Sequence, residues 1–358
     1  MQTQSKFRLL VVRLGAMGDI LHALPSVTAL RMAHPEWVID WVVEPKWRGL
    51  LAADNSTGRD TNCPSPKQPV IDRLHFASTK QWRQDMFSAR TRKEIRDLRQ
   101  ELEAGNYDTV LDLQGAVRSA AVSRMAGCRR IIGESIPREW AARWFFTERI
   151  KTRCAHVIEQ DAEVASAVAG DELAPVQPWL PVDDGAESWA DDILPRSDGE
   201  KAVLINPGAG WGAKCWPTDR YAEVARALLG RGFRVFVNAG PGEVLLSDAV
   251  VQRTGGGATP LLCSLQQLIA ITRRVALVIA GDTGPLHLAC ALGRPVVGIY
   301  GPTEPSRNGP FGTQFRVLRS PESRRDHSRN EAPEAGLLTI APDDVLRAAD
   351  ELLYPEAA

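Results

Sequence analysis

The stretch VALVIAGDTGPLHLACALGRPVVGIYGPTEPS, residues 275–306, decides the fold class of this chain. It opens with VALVIA, an apolar run with the length and composition of a buried strand. A glycine turn and a helical segment follow, and RPVVGIYGPTEPS then supplies another strand and a loop. Two buried strands joined by a turn and a helix form a βαβ unit, and such units build parallel sheets.

The same succession of strand, glycine turn and helix recurs in both halves of the chain. Further runs with strand composition are RLLVVR (8–13), WVIDWVV (37–43), YDTVLDLQG (107–115), KAVLINPG (201–208) and FRVFVNAGPGE (233–243). An amphipathic helix, IRDLRQELEAGN, precedes the third of these runs and is predicted to end at Gly105. The residues between the two halves, 169–199, are rich in Pro and Asp, which is typical of a linker.

We therefore predict an α/β protein of two Rossmann-like domains, whose parallel sheets face each other across a central cleft with ligands at the C-terminal ends of the strands. The predicted boundaries are 1–185 for the first domain and 186–340 for the second, followed by a C-terminal helix and tail at 341–358. Residues 55–69 interrupt the first half with a polar, Pro-containing segment. We interpret it either as a functional loop or as a tolerated insertion.

The composition favours a folded protein in a reducing compartment. The chain has 358 residues, 44% of them hydrophobic, and its formal net charge of −1 gives no indication of nucleic-acid binding. Its six cysteines form no CxxC pair and no zinc-type spacing, as is typical of reduced thiols. The apolar stretch near the N-terminus is too short for a signal peptide or a membrane span. We expect a cytoplasmic protein, at most peripheral to a membrane.

Charge is unevenly distributed along the chain. Residues 73–153 contain 17 Lys and Arg against 10 Asp and Glu, a surplus of +7. Such a surplus would suit an acidic partner or an anionic membrane surface. A solvated basic face is the alternative interpretation.

The first segment that could carry chemistry is LGAMGD, which contains Gly15, Gly18 and Asp19. Its GxxG spacing matches neither the dinucleotide fingerprint GxGxxG nor a P-loop. The glycines allow a tight turn, and the start of a helix favours an anion. Asp19 is therefore either an acid that stabilises the first helical turn or a general base that takes a proton from an attacking hydroxyl.

The second segment is NPGAGWGAKCWP, residues 206–217. Its three glycines let the backbone approach a phosphate closely, and Lys214 adds a positive charge within the turn. A lysine embedded in such a turn is predicted to bind an anion.

The third segment is GDTGPLHLA, residues 281–289. Thr283 is the predicted N-cap and Gly284 clears space, so that the N–H groups of the first helical turn form a diphosphate site. Asp282 stands at the end of the strand, where it can bind sugar hydroxyls. His287 lies one turn into the helix and is interpreted as a structural histidine.

The fourth segment ends at Glu243, a carboxylate after a strand and turn that could bind ribose hydroxyls, by analogy with dinucleotide sites. The sequence contains no cluster that suits a serine or cysteine nucleophile or a metal cage. The carboxylates could hold a divalent ion only together with substrate phosphates. We expect that no cofactor is required, with a non-essential divalent cation as the alternative.

These segments resemble the ADP-heptose–lipopolysaccharide heptosyltransferases, glycosyltransferase family 9. The matching stretches are VVRLGAMGDILHALPSVTALR, DLQGAVRSA, KCWP and AGDTGPLHLACALGRPVVGIYGPTEPSRNGP, which span both halves of the chain. WVIDWVVE, SIPREWAARWFF and HVIEQDAEVASA are most similar to the first-stage enzymes, heptosyltransferase I. The resemblance implies a GT-B fold and an inverting transfer of heptose from ADP-heptose to the Kdo-lipid A inner core. It also implies lipopolysaccharide biosynthesis at the cytoplasmic face of the inner membrane.

The resemblance further implies roles for individual residues. Asp19 would be the general base, in a first domain that binds the acceptor, with Gly18 and Arg118 as acceptor contacts; for Arg118 a solvated helix residue is the alternative. The second domain would bind the nucleotide sugar through six residues that follow its strands: Gly210, Lys214, Glu243, Asp282, Thr283 and Gly284. Among these, Lys214 would bind the diphosphate and Glu243 the ribose.

The chain departs from the family pattern at Ala209 and Gly210, where first-stage members often carry hydroxyl residues, so phosphate contacts there would come from the backbone. Alternatives to heptose transfer are a GT-B transferase with another nucleotide sugar or acceptor, a sugar-nucleotide epimerase, and a non-catalytic nucleotide-sugar-binding paralogue. The joint presence of Asp19, Lys214 and Asp282 favours an enzyme. A nicotinamide dehydrogenase is disfavoured because no GxGxxG follows either opening strand.

Overall fold

The computed structural model describes residues 6–54, 65–196, 201–240, 242–325 and 331–355. The chain forms two compact units, Met1–Val182 and Asp183–Ala358. Most of the polar segment 55–69 lies outside the described residues, because only its last part, 65–69, is included. In that part Ser65 and Gln68 form an isolated antiparallel bridge.

The first unit alternates strands and helices. Its strands are β1 (Arg8–Val12), β2 (Val38–Val43), β3 (Arg73–Phe76), β4 (Thr109–Asp112), β5 (Ile131–Glu134) and β6 (Glu148–Ile150). Its α-helices are α1 (Met17–Ala33), α2 (Thr79–Gln84), α3 (Ala89–Ala104), α4 (Val117–Met125) and α5 (Val157–Ala169). Short 3₁₀ helices cover Pro45–Leu50 and Trp140–Phe145.

The second unit repeats this alternation. Its strands are β7 (Ala202–Asn206), β8 (Arg234–Asn238), β9 (Thr259–Leu261), β10 (Leu277–Gly281), β11 (Val296–Tyr300) and β12 (Phe315–Arg319). Its α-helices are α6 (Asp184–Ile193), α7 (Thr218–Gly230), α8 (Val244–Arg253), α9 (Leu265–Thr272), α10 (Gly284–Ala291), α11 (Pro305–Asn308) and α12 (Pro342–Leu353). Short 3₁₀ helices cover Gly212–Lys214 and Leu337–Thr339.

Each unit contains a parallel sheet of the same topology. The strand order in the first sheet is β3-β2-β1-β4-β5-β6, and in the second sheet it is β12-β11-β10-β7-β8-β9. If the second sheet is read from its other end and its strands are renumbered from β7, the two orders are the same. Every pairing in both sheets is parallel. The prediction of a GT-B type α/β protein with two Rossmann-like parallel sheets is confirmed.

Strand order reverses at one place in each sheet, between β1 and β4 and between β7 and β10. In open parallel sheets the helices on either side of this place leave on opposite faces, so a crevice opens at the C-terminal ends of the two strands. The segment with Asp19 follows β1 and the segment with Lys214 follows β7, whereas Asp282 follows β10 directly. The fold therefore places three predicted site residues at the reversal points.

Burial explains why a central strand such as β1 is a continuous apolar run. Leu9, Leu10, Val11 and Val12 of β1 are all 0% exposed, as expected for a parallel strand covered on both faces. Leu10 and Val12 belong to a core that includes side chains of α3 and α4. Alternate residues of a strand point to opposite faces, so Leu9 and Val11 point to the other face of the sheet.

Two expectations about the helices have different outcomes. The predicted end of the helix before β4 is confirmed, because α3 ends at Ala104 with Gly105 as its C-cap. The interpretation of 169–199 as a linker is wrong for residues 184–193, which form α6. Asp183 caps this helix by accepting from the N–H of Ala186 at 2.9 Å, and Glu187 forms a 2.8 Å ion pair with Arg274. That ion pair fixes α6 to α9 and could not be inferred from composition.

The C-terminal helix is part of the second unit. α12 buries Val345, Ala348, Ala349 and Leu352 in the same core as α7 and β11. Among the described residues, no helix is both long enough and apolar enough to span a bilayer.

Candidate active site

Asp19 lies in the first turn of α1, next to Gly18. Its Oδ2 accepts a hydrogen bond from the backbone N–H of Ala16 at 3.0 Å, which stabilises the start of the helix. The side chain remains 31% exposed. Asp19 therefore stabilises the first turn of α1, which is one of the two roles considered for it, and its carboxylate is still accessible to solvent.

Two arginines flank this carboxylate. The guanidinium of Arg13, which is buried, lies 3.6 Å from Oδ1 of Asp19, and its Nε donates to the backbone oxygen of Asp19 at 3.0 Å. The guanidinium of Arg138 lies 3.6 Å from Oδ2 and is 66% exposed. The immediate neighbourhood of the Asp19 carboxylate thus contains two cations and one anion, which suits an acidic substrate.

The loop after β4 is fixed to the loop after β1 by buried hydrogen bonds. Asp112 accepts from the N–H groups of Gln114 and Gly115, both at 2.9 Å, and from the hydroxyl of Ser119 at 3.1 Å. Burial raises the pKa of Asp112, although these donors oppose the shift. Gln114 in turn accepts from the N–H of Leu14 at 2.7 Å. The two loops at the reversal point are thus positioned by interactions within the first unit.

Arg118 is the second residue of α4 and is exposed. Within the described part of the chain its side chain forms no hydrogen bond and no ion pair. The N–H of Val117 donates to the Glu139 carboxylate at 2.8 Å, and the N–H of Glu139 donates to the oxygen of Gly115 at 2.8 Å. These contacts hold the segment that carries Arg138 against the start of α4. Arg118 and Arg138 thus belong to the same edge of the sheet as Asp19.

In the second unit Lys214 ends the glycine-rich loop after β7. Its ammonium lies 2.5 Å from Oδ2 of Asp282 and 4.3 Å from the centre of the Trp211 ring. The side chain is 11% exposed. The structure therefore brings together two residues that are far apart in the sequence and that are both predicted to bind the nucleotide sugar.

Asp282 is buried and has a second cationic or polar partner. Its Oδ1 lies 3.1 Å from Nε2 of His287. Burial alone would raise the pKa of Asp282, but His287 and Lys214 hold it well below its usual range. His287 thus has the buried partner that its structural interpretation requires, and Asp282 stays a carboxylate that can accept hydrogen bonds from sugar hydroxyls.

Thr283 occupies the N-cap of α10, as predicted, but its hydroxyl does not cap the helix. It donates instead to the oxygen of Gly281 at 3.2 Å. The N–H groups of the first turn, which starts at Gly284, therefore receive no side-chain cap from Thr283. A helix start of this kind favours a bound anion.

Glu243 packs against the loop after β7. It precedes α8, and its Oε2 accepts from the N–H of Gly240 at 3.0 Å. Burial raises the pKa of this carboxyl group. A Cβ on Gly208 would lie 2.1 Å from the carboxylate carbon of Glu243, whereas one on Gly210 would meet no atom within 4 Å. A side chain at 208 would therefore displace the carboxylate of Glu243, whereas one at the exposed Gly210 would displace nothing.

Several residues of these two clusters were not identified from the sequence. The positions of Arg13 and Arg138 beside Asp19, and the contact of Gly208 with Glu243, are not marked by a local motif, although Gly208 belongs to the glycine-rich segment identified above. Among the described residues there is no group of three or more His, Cys, Asp or Glu side chains that could hold a metal ion. Chemically, the first cluster offers a base among cations, and the second offers a lysine and a helix start for an anion.

Comparison with known proteins identifies the family. The model of glycosyltransferase family 9 (heptosyltransferase) matches residues 95–337. Lipopolysaccharide heptosyltransferase 1 of Escherichia coli K12 is 28% identical over 335 residues, covering 91% of this chain and 97% of its own length. The enzyme of the same name from Pseudomonas aeruginosa PAO1 is 26% identical, with coverage of 85% and 81%.

Solved structures agree with this result. The E. coli heptosyltransferase WaaC with ADP matches 97% of this chain and 100% of its own chain, with a TM-score of 0.78 and 26% identity. WaaC with ADP-2-deoxy-2-fluoro heptose gives a TM-score of 0.76 and 27% identity, with coverage of 96% and 99%. Because the family model matches more than half of the chain, the protein belongs to glycosyltransferase family 9, the heptosyltransferases.

Proposed function

We propose that this protein transfers heptose from ADP-heptose to a lipid-linked acidic saccharide, the Kdo-lipid A inner core of lipopolysaccharide, with inversion at the anomeric carbon. The relatives named lipopolysaccharide heptosyltransferase 1 and the related structures with ADP and an ADP-heptose analogue support this donor and acceptor. The observation that carries the proposal is the position of Lys214 and Asp282 at the strand reversal of the second sheet.

In the proposed reaction the second unit binds the donor. Lys214 and the start of α10 at Thr283 and Gly284 bind the diphosphate, with backbone groups near Gly210 as further contacts. Glu243 accepts hydrogen bonds from the ribose, and Asp282 accepts them from the sugar. As the bond between the anomeric carbon and the phosphate oxygen breaks, negative charge grows on ADP. Fixed positive groups aimed at such growing charge are usually the largest catalytic contribution.

The first unit supplies the acceptor and the base. Asp19 takes the proton of the acceptor hydroxyl while its oxygen forms the new bond to the anomeric carbon, which contributes about 10²–10⁴-fold. Arg118 and Arg138 are exposed cations at the same edge and bind the acidic groups of the acceptor, while Gly18 allows close approach of the substrate. The products are ADP and the heptosylated acceptor. No metal ion is assigned a role in this scheme.

We further propose a cytoplasmic location at the inner-membrane surface, since a lipid-linked acceptor is embedded in a bilayer. The function is tested by incubating the protein with ADP-heptose and Kdo-lipid A, and by following ADP release and the mass of the acceptor. The expected result is one ADP released for each acceptor that gains one heptose. Alteration of the donor without acceptor would indicate an epimerase, and donor binding without any ADP release would indicate a non-catalytic paralogue.

A further inference from the structure

A pair of exposed tryptophans lies beside the acceptor edge of the first unit. Trp140 is 61% exposed and Trp144 is 66% exposed, and their ring centres are 5.6 Å apart in an edge-to-face arrangement. Ile136, four residues before Trp140, is 75% exposed. Large apolar side chains are seldom clustered on a surface without a partner.

The backbone holds these side chains outward. Ala142 is 0% exposed and Phe146 is 3% exposed, and both belong to the core that α3 and α4 form with β1 and β4. They anchor the 3₁₀ helix Trp140–Phe145 on the first unit, so that its two tryptophans cannot turn into the same core. The exposure of Trp140 and Trp144 thus follows from how this short helix is packed.

The same surface is positively charged. The guanidinium of Arg143 lies 5.4 Å from the Trp140 ring and 5.8 Å from the Trp144 ring. In the described ranges neither Arg143 nor Arg118 forms an ion pair with a carboxylate. Residues 116–146 contain six Arg and two Glu, with no Lys or Asp, and two of these arginines, Arg130 and Arg138, pair with Glu148 and Asp19 outside this range. This surface therefore combines aromatic side chains with uncompensated cations.

We propose that Ile136, Trp140, Arg143 and Trp144, hereafter the tryptophan patch, dock the protein on the surface of a bilayer that contains anionic lipids. Tryptophan is enriched at the interface between lipid and water, where its apolar body and polar N–H are both satisfied. Arginines near such a surface are attracted to anionic headgroups. A protein partner would need no surplus of unpaired cations, whereas an anionic bilayer matches both features.

The position of the tryptophan patch gives membrane docking a purpose. This part of the proposal rests on the proposed function. Arg138, two residues before Trp140, pairs with Asp19 at 3.6 Å. A lipid-linked acceptor must keep its acyl chains in the bilayer while its saccharide reaches the base. Docking through the tryptophan patch holds the residues around Asp19 next to the headgroup layer, so the acceptor need not leave the membrane.

The test is co-flotation of the full chain with vesicles of phosphatidylethanolamine and phosphatidylglycerol. The double variant Trp140→Ala/Trp144→Ala is expected to bind at least about tenfold more weakly than wild type, because it loses most of the apolar area that enters the interface. Arg143→Gln is expected to weaken binding about fivefold, and only when phosphatidylglycerol is present. The matched control Tyr354→Ala removes an aromatic side chain that is 49% exposed in the second unit, and should bind as wild type does.

Thermal unfolding of each variant shows whether it is folded, and Ile136→Asp provides a second disruption of the patch if the double variant is not. The proposed docking surface would be overturned if the folded double variant bound vesicles as wild type does. It would also be overturned if this variant lost self-association of the protein instead of vesicle binding. Turnover with a deacylated, water-soluble acceptor separates the two proposals. We expect the tryptophan variants to keep wild-type turnover there, whereas absence of turnover in wild type would contradict the proposed function and leave the docking result unaffected.

Discussion

The ammonium of Lys214 lies 2.5 Å from the carboxylate of Asp282, which is itself 3.1 Å from the ring of His287. The two charged residues come from different loops, one after β7 and one after β10, and they meet where the strand order of the second sheet reverses. A buried carboxylate between a lysine and a histidine stays ionised. It therefore fixes Lys214 in place next to the segment that starts α10.

Replacement of Lys214 tests its role toward the diphosphate. Lys214→Met keeps an unbranched side chain of nearly the same length and removes its charge, so the departing ADP loses a fixed cation. We expect kcat/KM for ADP-heptose to fall by about 10²–10³-fold, the range seen when one group that stabilises developing charge is removed. Steady-state measurement of ADP release provides the value.

The control for this variant is Lys201→Met, because Lys201 is an exposed lysine immediately before β7, at the other end of the same strand. It should retain wild-type kcat/KM. Equal values for Lys214→Met and Lys201→Met would show that Lys214 does not act on the donor.

Gly208 offers a steric test of Glu243. A Cβ at position 208 would overlap the carboxylate of Glu243, which is the end of a flexible side chain and can move. Gly208→Ala should therefore leave the midpoint of thermal unfolding nearly unchanged but raise the KM for ADP-heptose about tenfold or more, since a hydrogen bond to a charged group is lost. Gly230→Ala is the matched control, because a Cβ there meets no atom within 4 Å. A normal KM in Gly208→Ala would rule out the predicted contact between Glu243 and the ribose.

The raised pKa of Glu243 predicts a pH dependence of donor binding. Because burial raises this pKa, the carboxylate takes up a proton at a higher pH than an ordinary glutamate. A protonated Glu243 accepts hydrogen bonds poorly, so the KM for ADP-heptose should rise as the pH falls through this raised pKa. Glu243→Gln should have a high KM that no longer changes over that range. The same pH dependence in wild type and in Glu243→Gln would assign it to another group.

The sequence predicted the features that are encoded locally. The central strands are mostly apolar runs followed by turns, and the segments of Asp19, Lys214 and Asp282 follow such runs, so the α/β class and the family could be identified from the residues alone. The edge strands β3, β6, β9 and β12 are partly exposed and lack this apolar pattern. Contacts between distant segments could not be identified. The pairing of Arg138 with Asp19 joins residues after β5 and β1, and the close approach of Gly208 to Glu243 joins the loops after β7 and β8.

The difference between local signals and distant contacts also explains why the sequence does not predict helix α6. Residues 184–193 belong to the segment 169–199, whose many Pro and Asp residues predict a linker. In the structure Asp183 caps this segment, and Arg274 of the following βαβ region binds Glu187. A short helix that depends on a partner of this kind gives little local signal.

The role of Asp19 as the base for heptose transfer is measured by Asp19→Asn under single-turnover conditions with ADP-heptose and Kdo-lipid A. The amide oxygen of Asn can still accept from the N–H of Ala16, so the first turn of α1 is preserved while the proton acceptor is lost. We expect transfer to slow by about 10²–10⁴-fold while the Kd for ADP-heptose stays at the wild-type value. Transfer at the wild-type rate by this variant would show that Asp19 is not the base.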